Sequence, residues 1–413
     1  MDDMKKNIAW NTCGSVFYCV CQWLITILVV WLDSYGAAGD LSLAMTTSSS
    51  FSAIALFSMR NFQVSDVTEE YSAGQYVSSR ILTCGAAVIS CLAVSLLSGN
   101  TPYEVLCIGA FMVIRVAEAV VDVLHGINQK YMRYDLIGKS YMIRGIFTVV
   151  SFCAGMALVG NLMVTLMIMA GLNLLTAILY DWRNTRKLEG FSICLKDRKI
   201  LNLLTACVPI VVFSFLLSLE NLIPKTILKE QYGRDQLGIY SSMASPTLVV
   251  QVFASVAFNP FLPAFSLAYQ QGELKRFRNM FHKSLVVLAA MCLVVTLGAV
   301  LFGRVGLKIL FGPDILEHYG LFLPIVWCTI LTALIWILSS LVVALRRIQW
   351  LLIGMIGDFL VCVLAAEPVV GIYEKNGVSI LQIGAYAVYI IYLIAVCEIS
   401  TRKEKTDKEG KNR

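Results

Sequence analysis

Arg115, Glu118 and Asp122 stand in one otherwise apolar stretch, FMVIRVAEAVVDVLHG. On a helix the i, i+3, i+7 spacing puts all three on one face. Charge at hydrocarbon depth is costly, so such residues by default mark a path for a polar substrate or ion. With the cytoplasmic end of this helix near Leu124, Arg115 lies about 14 Å deep, Glu118 about 9 Å and Asp122 about 3 Å. Two readings stand. The face lines a polar path in which Arg115 meets an anionic group, or Arg115 and Glu118 neutralise each other and pin helices together. On the first reading Arg115→Ala stops transport without preventing insertion. Replacing Asp122, nearer the interface, should then matter less.

The same helix runs into HGINQKYMRYDLIGKSYMIR, which carries Lys130, Arg133, Lys139 and Arg144. This cluster suits a diphosphate or an anionic lipid surface, or it signals topology alone. Arg60, in FSMRNFQVSD, either reaches the same cytoplasmic mouth or snorkels to the headgroups. Glu220, in SLENLIPKTI, lies near the outer end of a later apolar run, with Asp33 as its rough positional counterpart. Asp358 follows Gly354 and Gly357, a pair that permits close helix packing, and Glu367 lies further along the same run. Glu118, Glu220 and Asp358 are the candidates for a proton or sodium site, with capping or packing as the plainer role. Asn7, Asn11 and Gln22 can bond across helices or face the mouth, and Trp10 reads as an interfacial anchor.

These residues need a scaffold of membrane-spanning helices. Of 413 residues 58% are hydrophobic and only 15% charged, with a mean hydropathy of +0.74. That composition excludes a soluble enzyme, a coiled coil and a disordered chain. At about 20 residues per span there is room for about a dozen spans. They are expected at 8–32, 38–58, 81–99, 103–124, 141–159, 161–181, 201–222, 239–262, 283–303, 319–345, 348–371 and 378–398. The N-terminal run is too long for a signal-peptide core and reads as a retained first span. The second span, LSLAMTTSSSFSAIALFSM, is rich in hydroxyls and must pack through small residues or line a wet cavity.

With an even number of spans and the N-terminus in the cytoplasm, most of the 33 lysines and arginines fall in inside segments. The positive-inside rule then puts both termini in the cytoplasm. Tyr35-Gly36 and YSAGQYVSSR from Tyr71 recur as Tyr232-Gly233 and YQQGELKRFR from Tyr269. The repeat covers an even number of spans, so the halves share an orientation, as parallel transporter repeats do. The expected division is an N-terminal six-helix bundle (1–181), a basic cytoplasmic linker (182–200), a C-terminal six-helix bundle (201–398) and a charged tail (399–413). The fold class is an all-α polytopic membrane protein, with two parallel-repeat bundles around a central cavity.

Nothing catalytic emerges. The 13 cysteines include no CxxC pair, and the three histidines are widely spaced, so neither a metal nor a redox centre is expected. There is no P-loop, HExxH or dinucleotide fingerprint. The scattered basic residues do not suggest nucleic-acid binding. Transport remains, without a cofactor, driven by a proton or sodium gradient, the membrane potential or the substrate's own gradient.

The stretch from Arg115 to Lys139, ending at Arg144, resembles the polysaccharide transporter branch (Wzx-type lipid-linked oligosaccharide flippases) of the MATE-like MOP superfamily. M59-R-N-F-Q-V-S-D66 and G233-R-D-Q-L-G238-I-Y240 are similar to segments of the same group, and the likeness covers roughly residues 7–398. It implies two six-helix bundles and an undecaprenyl-diphosphate-linked oligosaccharide flipped outward for surface polysaccharide assembly. It also implies a multi-pass protein of the bacterial inner or plasma membrane, with a polymerase and glycosyltransferases as partners beside the membrane lipids. The diphosphate would meet Arg60, Arg115 and Arg144. A cation-coupled MATE multidrug exporter is the alternative with the same fold. A membrane enzyme or structural component of a glycan-assembly complex is the alternative from another class.

Overall fold

The computed structural model describes residues 2–66, 70–195, 197–247, 250–251, 258 and 262–411. Every regular element among them is helical. The first eight are α1 (Asp2–Leu32), α2 (Tyr35–Leu56), α3 (Met59–Ser65), α4 (Ala73–Leu97), α5 (Pro102–Lys130), α6 (Tyr134–Val159), α7 (Leu162–Thr176) and α8 (Arg183–Leu188). A π-helical turn, Ala177–Trp182, joins α7 to α8. Then come α9 (Arg198–Tyr232), α10 (Arg234–Ala244), α11 (Leu262–Gln270), α12 (Leu274–Phe311), α13 (Phe322–Ala344), α14 (Ile348–Tyr373) and α15 (Lys375–Lys411). The tail expected from residue 399 continues α15 as helix.

Among the described residues nine helices are long and apolar enough to cross a membrane. The other three expected spans depart for separate reasons. Hydroxyls dilute α2, charges interrupt α5, and the span at 239–262 lies partly outside the described residues.

The chain packs as two compact units, 1–222 and 223–413, which divide within α9 rather than at the basic segment 182–200. In the first unit α1 lies along α6 at backbone contact. A Cβ on Gly14 would strike the Gly138 backbone, and one on Gly138 would strike the Trp10 carbonyl. The hydroxyls of α2 serve packing, as its composition required. Ser48 donates to the Ile108 carbonyl of α5 at 3.1 Å, and Ser50 to the Ser218 carbonyl of α9 at 3.1 Å. Two capping boxes fix the starts of α4 and α5. Ser72 accepts from the Gln75 N–H while Gln75 accepts from that of Ser72, and Thr101 and Glu104 do the same. α2 ends where Phe57 and Ser58 both take left-handed φ of about 50°, sharply redirecting the chain into α3.

In the second unit α12 presents most of its length outward, with Val286, Leu293, Val300 and Phe302 all exposed, as befits a lipid-facing helix. α14 and α15 pack closely. Gly354 leaves room for the Tyr389 and Tyr392 rings, and these hydroxyls donate to the Leu351 and Trp350 carbonyls. Of the expected glycine pair only Gly354 is used in this way, since Gly357 faces open space. The repeated loop glycines also differ in role. Gly74 lies inside α4 against the Ser192 carbonyl, whereas Gly272 has φ +71° in the turn before α12.

Candidate functional site

The charged face of α5 does not form a single ladder. It divides into two clusters, each with one carboxylate between arginines. In the first, Arg115 donates to Glu118 Oε2 at 2.6 Å along α5 itself. The other carboxylate oxygen accepts the Tyr18 hydroxyl of α1, and Gln22 one turn on donates to that hydroxyl at 2.8 Å. Arg144 of α6 approaches Glu118 Oε1 at 3.7 Å, lies over the Tyr18 ring and donates from Nε to Asn173 of α7 at 3.3 Å. The side chain of Arg144 is buried, whereas Arg115 and Glu118 keep 20% and 18% of their surface open. An ion pair with one open side can still exchange its partner for an anionic ligand.

The second cluster centres on Asp122. Arg60 of α3 reaches one oxygen at 3.3 Å, and Arg80 of α4 the other at 2.9 Å. Arg80 is completely buried and also donates to the Ala55 carbonyl at 2.8 Å, joining α4 to the end of α2. Thr83 donates to the same carbonyl. Arg60, a quarter exposed, donates in addition to Gln129 at 3.2 Å. Asp122 therefore has more structural weight than its shallow position implied.

Tyr141 of α6 stands between the clusters. Its ring lies 5.5 Å from that of Tyr18 and 5.1 Å from that of His125, and its hydroxyl faces Arg60. Four guanidinium groups thus share this part of the first unit with Glu118 and Asp122. Asp181, beside His125, adds a third carboxylate. The excess is one positive charge with His125 neutral and two with it protonated. Such a site favours an anion over a cation.

The remaining expected residues lie apart from this network. Arg133 makes a two-pronged bond to Asp135 at 2.8 and 3.1 Å, and Lys139 sits 3.6 Å from the same carboxylate. Lys130 is 6.0 Å from the centre of the Tyr76 ring. The basic turn between α5 and α6 is therefore partly neutralised by its own acid. Nearby, burial pushes the Asp66 carboxyl up, but the N–H groups of Glu70 and Tyr71, the Tyr76 hydroxyl and the Lys130 charge outweigh it and hold it below the usual aspartate value. Glu220 on α9 and Asp358 on α14 are both buried, in different units. Arg80, Tyr18, Asn173 and Asp181 were not anticipated as site residues. For Arg80 the signal was present, because S72-A-G-Q75 is a capping box that starts α4 well before residue 80.

A family model described as "polysaccharide biosynthesis protein" matches residues 33–318, which include the whole arginine network. The chain belongs to this polysaccharide biosynthesis family. A Staphylococcus aureus relative, capsular polysaccharide biosynthesis protein CapF, is 22% identical over 320 residues, covering 76% of this chain and 79% of CapF. Among solved structures, the lipid II flippase MurJ in an inward closed conformation aligns with TM-score 0.67 at 10% identity, over 93% of this chain and 86% of MurJ. An inward-facing multidrug resistance MATE transporter of the MOP superfamily aligns with TM-score 0.66 at 11% identity, over 96% and 99% of the two chains. At such identities the likeness establishes the fold. This family member is an all-helical, multi-pass membrane protein over its described residues, with a fold like that of the MATE transporters and MurJ, as the resemblance read from its sequence implied for the fold and the family.

Proposed function

We propose that this protein is a flippase that moves a diphosphate-linked oligosaccharide on a polyprenyl carrier from the cytoplasmic to the outer leaflet by alternating access. It is a transporter rather than an enzyme, in the bacterial cell membrane with both termini cytoplasmic. The observation that carries this reading is the surplus of guanidinium over carboxylate groups around α5. A diphosphate cannot enter hydrocarbon unaided, because unpaired charge there costs several kcal/mol or more. Arg115 and Arg60, each paired and each partly open, are placed to take that charge over from Glu118 and Asp122. Guanidinium is also the side chain best suited to two-pronged bonding of phosphate oxygens. The lipid tail needs no protein site, since it can remain in the bilayer.

The test is made in cells that depend on this protein for their surface polymer. Removing it should cause lipid-linked repeat units to accumulate facing the cytoplasm, and restoring it should clear them. Efflux of a cationic dye with no such accumulation would instead identify a multidrug exporter.

A further inference from the structure

Behind the arginine network lies a polar group that the flippase reading does not use. His125 of α5 and Asp181 are each about 1% exposed, with His125 Nε2 3.3 Å from Asp181 Oδ1. Ser140 of α6 donates to the other Asp181 oxygen at 3.0 Å. Asp181 sits in the wide π turn Ala177–Trp182, and turns of this kind recur at functional sites. The pairing determines the tautomer. Nε2 carries the hydrogen toward the carboxylate, so Nδ1 is left as a bare lone pair. That nitrogen is buried and has no hydrogen-bond partner.

We infer that His125 Nδ1, backed by Asp181, is a proton-binding site whose occupancy sets the charge of the arginine network and hence its affinity for a diphosphate. The inference rests on the anionic substrate proposed above. The ligand is one proton, taken from water onto Nδ1 to give an imidazolium held by the Asp181 carboxylate. No bond to substrate is formed. The charges that face the imidazole are Asp181 from the π turn, Arg60 from α3 and Arg144 from α6. Tyr141 of α6 packs edge-on to the ring and links it to Tyr18 of α1, and Asp122 lies one turn earlier on α5. With Nδ1 empty, Asp181 acts as a third carboxylate set against four arginines. With Nδ1 occupied, that negative charge is cancelled and the network holds an anion more tightly. By linkage the reverse also holds, and a bound diphosphate must raise the affinity for the proton.

The experiment uses the full-length protein in detergent or nanodiscs, with inorganic diphosphate as the probe, titrated from pH 5 to 8.5. Wild type, His125→Gln and Asp181→Asn are compared at each pH, which removes the probe's own protonation from the comparison. The wild type should gain affinity on acidification by on the order of tenfold more than His125→Gln, the effect of one charge roughly 10 Å away at an effective dielectric near 20. Asp181→Asn should bind tightly at every pH, because it copies the neutralised state. That gain cannot arise from misfolding. The protection of amides 177–188 against hydrogen exchange, read without any ligand and corrected for the intrinsic pH dependence of amide exchange, should change with pH in the wild type and not in His125→Gln. If wild type and His125→Gln share the same pH dependence in affinity and in exchange, the inference is overturned. If no protein binds diphosphate at any pH yet the exchange response is lost in His125→Gln, the proton site stands. The anionic-substrate reading then fails, and with it the claimed link to affinity.

Discussion

Asp122→Asn should destabilise the protein more than loss of any other single charge in the first unit. Asp122 is the counter-ion of Arg80, whose guanidinium is completely buried and has no route to water. The amide keeps the shape and one acceptor but removes the charge, leaving a buried cation with only neutral acceptors, the Ala55 carbonyl among them. Breaking such a pair from one side costs about 3–5 kcal/mol for a fully buried pair. Asp122 is itself 21% exposed, which lowers the expectation to about 2–3 kcal/mol. In thermal unfolding of the purified protein this is a fall in Tm of roughly 4–12 °C. The double variant Asp122→Leu/Arg80→Met removes both charges and keeps the volume, and it should recover most of the loss, because an apolar pair can replace a buried ion pair at little cost. Arg60→Ala, at the open side of the same carboxylate, should cost under about 1 kcal/mol. An unchanged Tm in Asp122→Asn would refute this account of Arg80. So would a double variant no more stable than the single one.

Arg115→Ala should leave membrane insertion and Tm nearly unchanged while abolishing flipping, read as build-up of cytoplasm-facing lipid-linked repeats; normal clearance would remove Arg115 from the site. Gly138→Val places two methyl groups against the Trp10 carbonyl and should sharply reduce the yield of folded protein in fluorescence-detected size exclusion, whereas Gly357→Ala, facing open space, should have little effect. Asp66 has a carboxyl held below its usual value, so its charge stabilises the fold above the unfolded-state pKa of about 3.9 and that contribution is lost as pH falls through the lower folded value. Asp66→Asn should therefore lower Tm at pH 7, and the gap to wild type should close when the two are compared in acid.

The helical, membrane-spanning character was legible because it resides in runs of apolar residues, which composition and windowed hydropathy detect directly. α2 and α5 were also legible, although they are poor spans by hydropathy, because hydroxyls and a spaced set of charges inside an apolar run are themselves informative. Long-range pairing was not legible. That Tyr18 meets Glu118, or Gly14 meets Gly138, depends on how α1 lies along α6, and no local pattern encodes it. Arg80 was missed because hydropathy starts its span one residue later, while the backbone starts the helix where Ser72 caps it. The π turn is invisible for a different reason. The sequence through Asp181 reads as an ordinary end of an apolar run, and only the backbone shows the extra residue that carries this carboxylate to His125.

The chain order of the ion pairs bears on how the protein is made. Arg60 and Arg80, the partners of Asp122, are both synthesised before it, and Arg115 precedes Glu118 by a single turn. When α5 leaves the insertion machinery, Glu118 and Asp122 therefore each find a cation already in place, and neither has to enter the bilayer as a bare carboxylate. Only Arg144 and Asp181 arrive later, on segments that close over a helix whose charges have been met. A helix too polar to insert alone is in this way carried into the membrane by its predecessors.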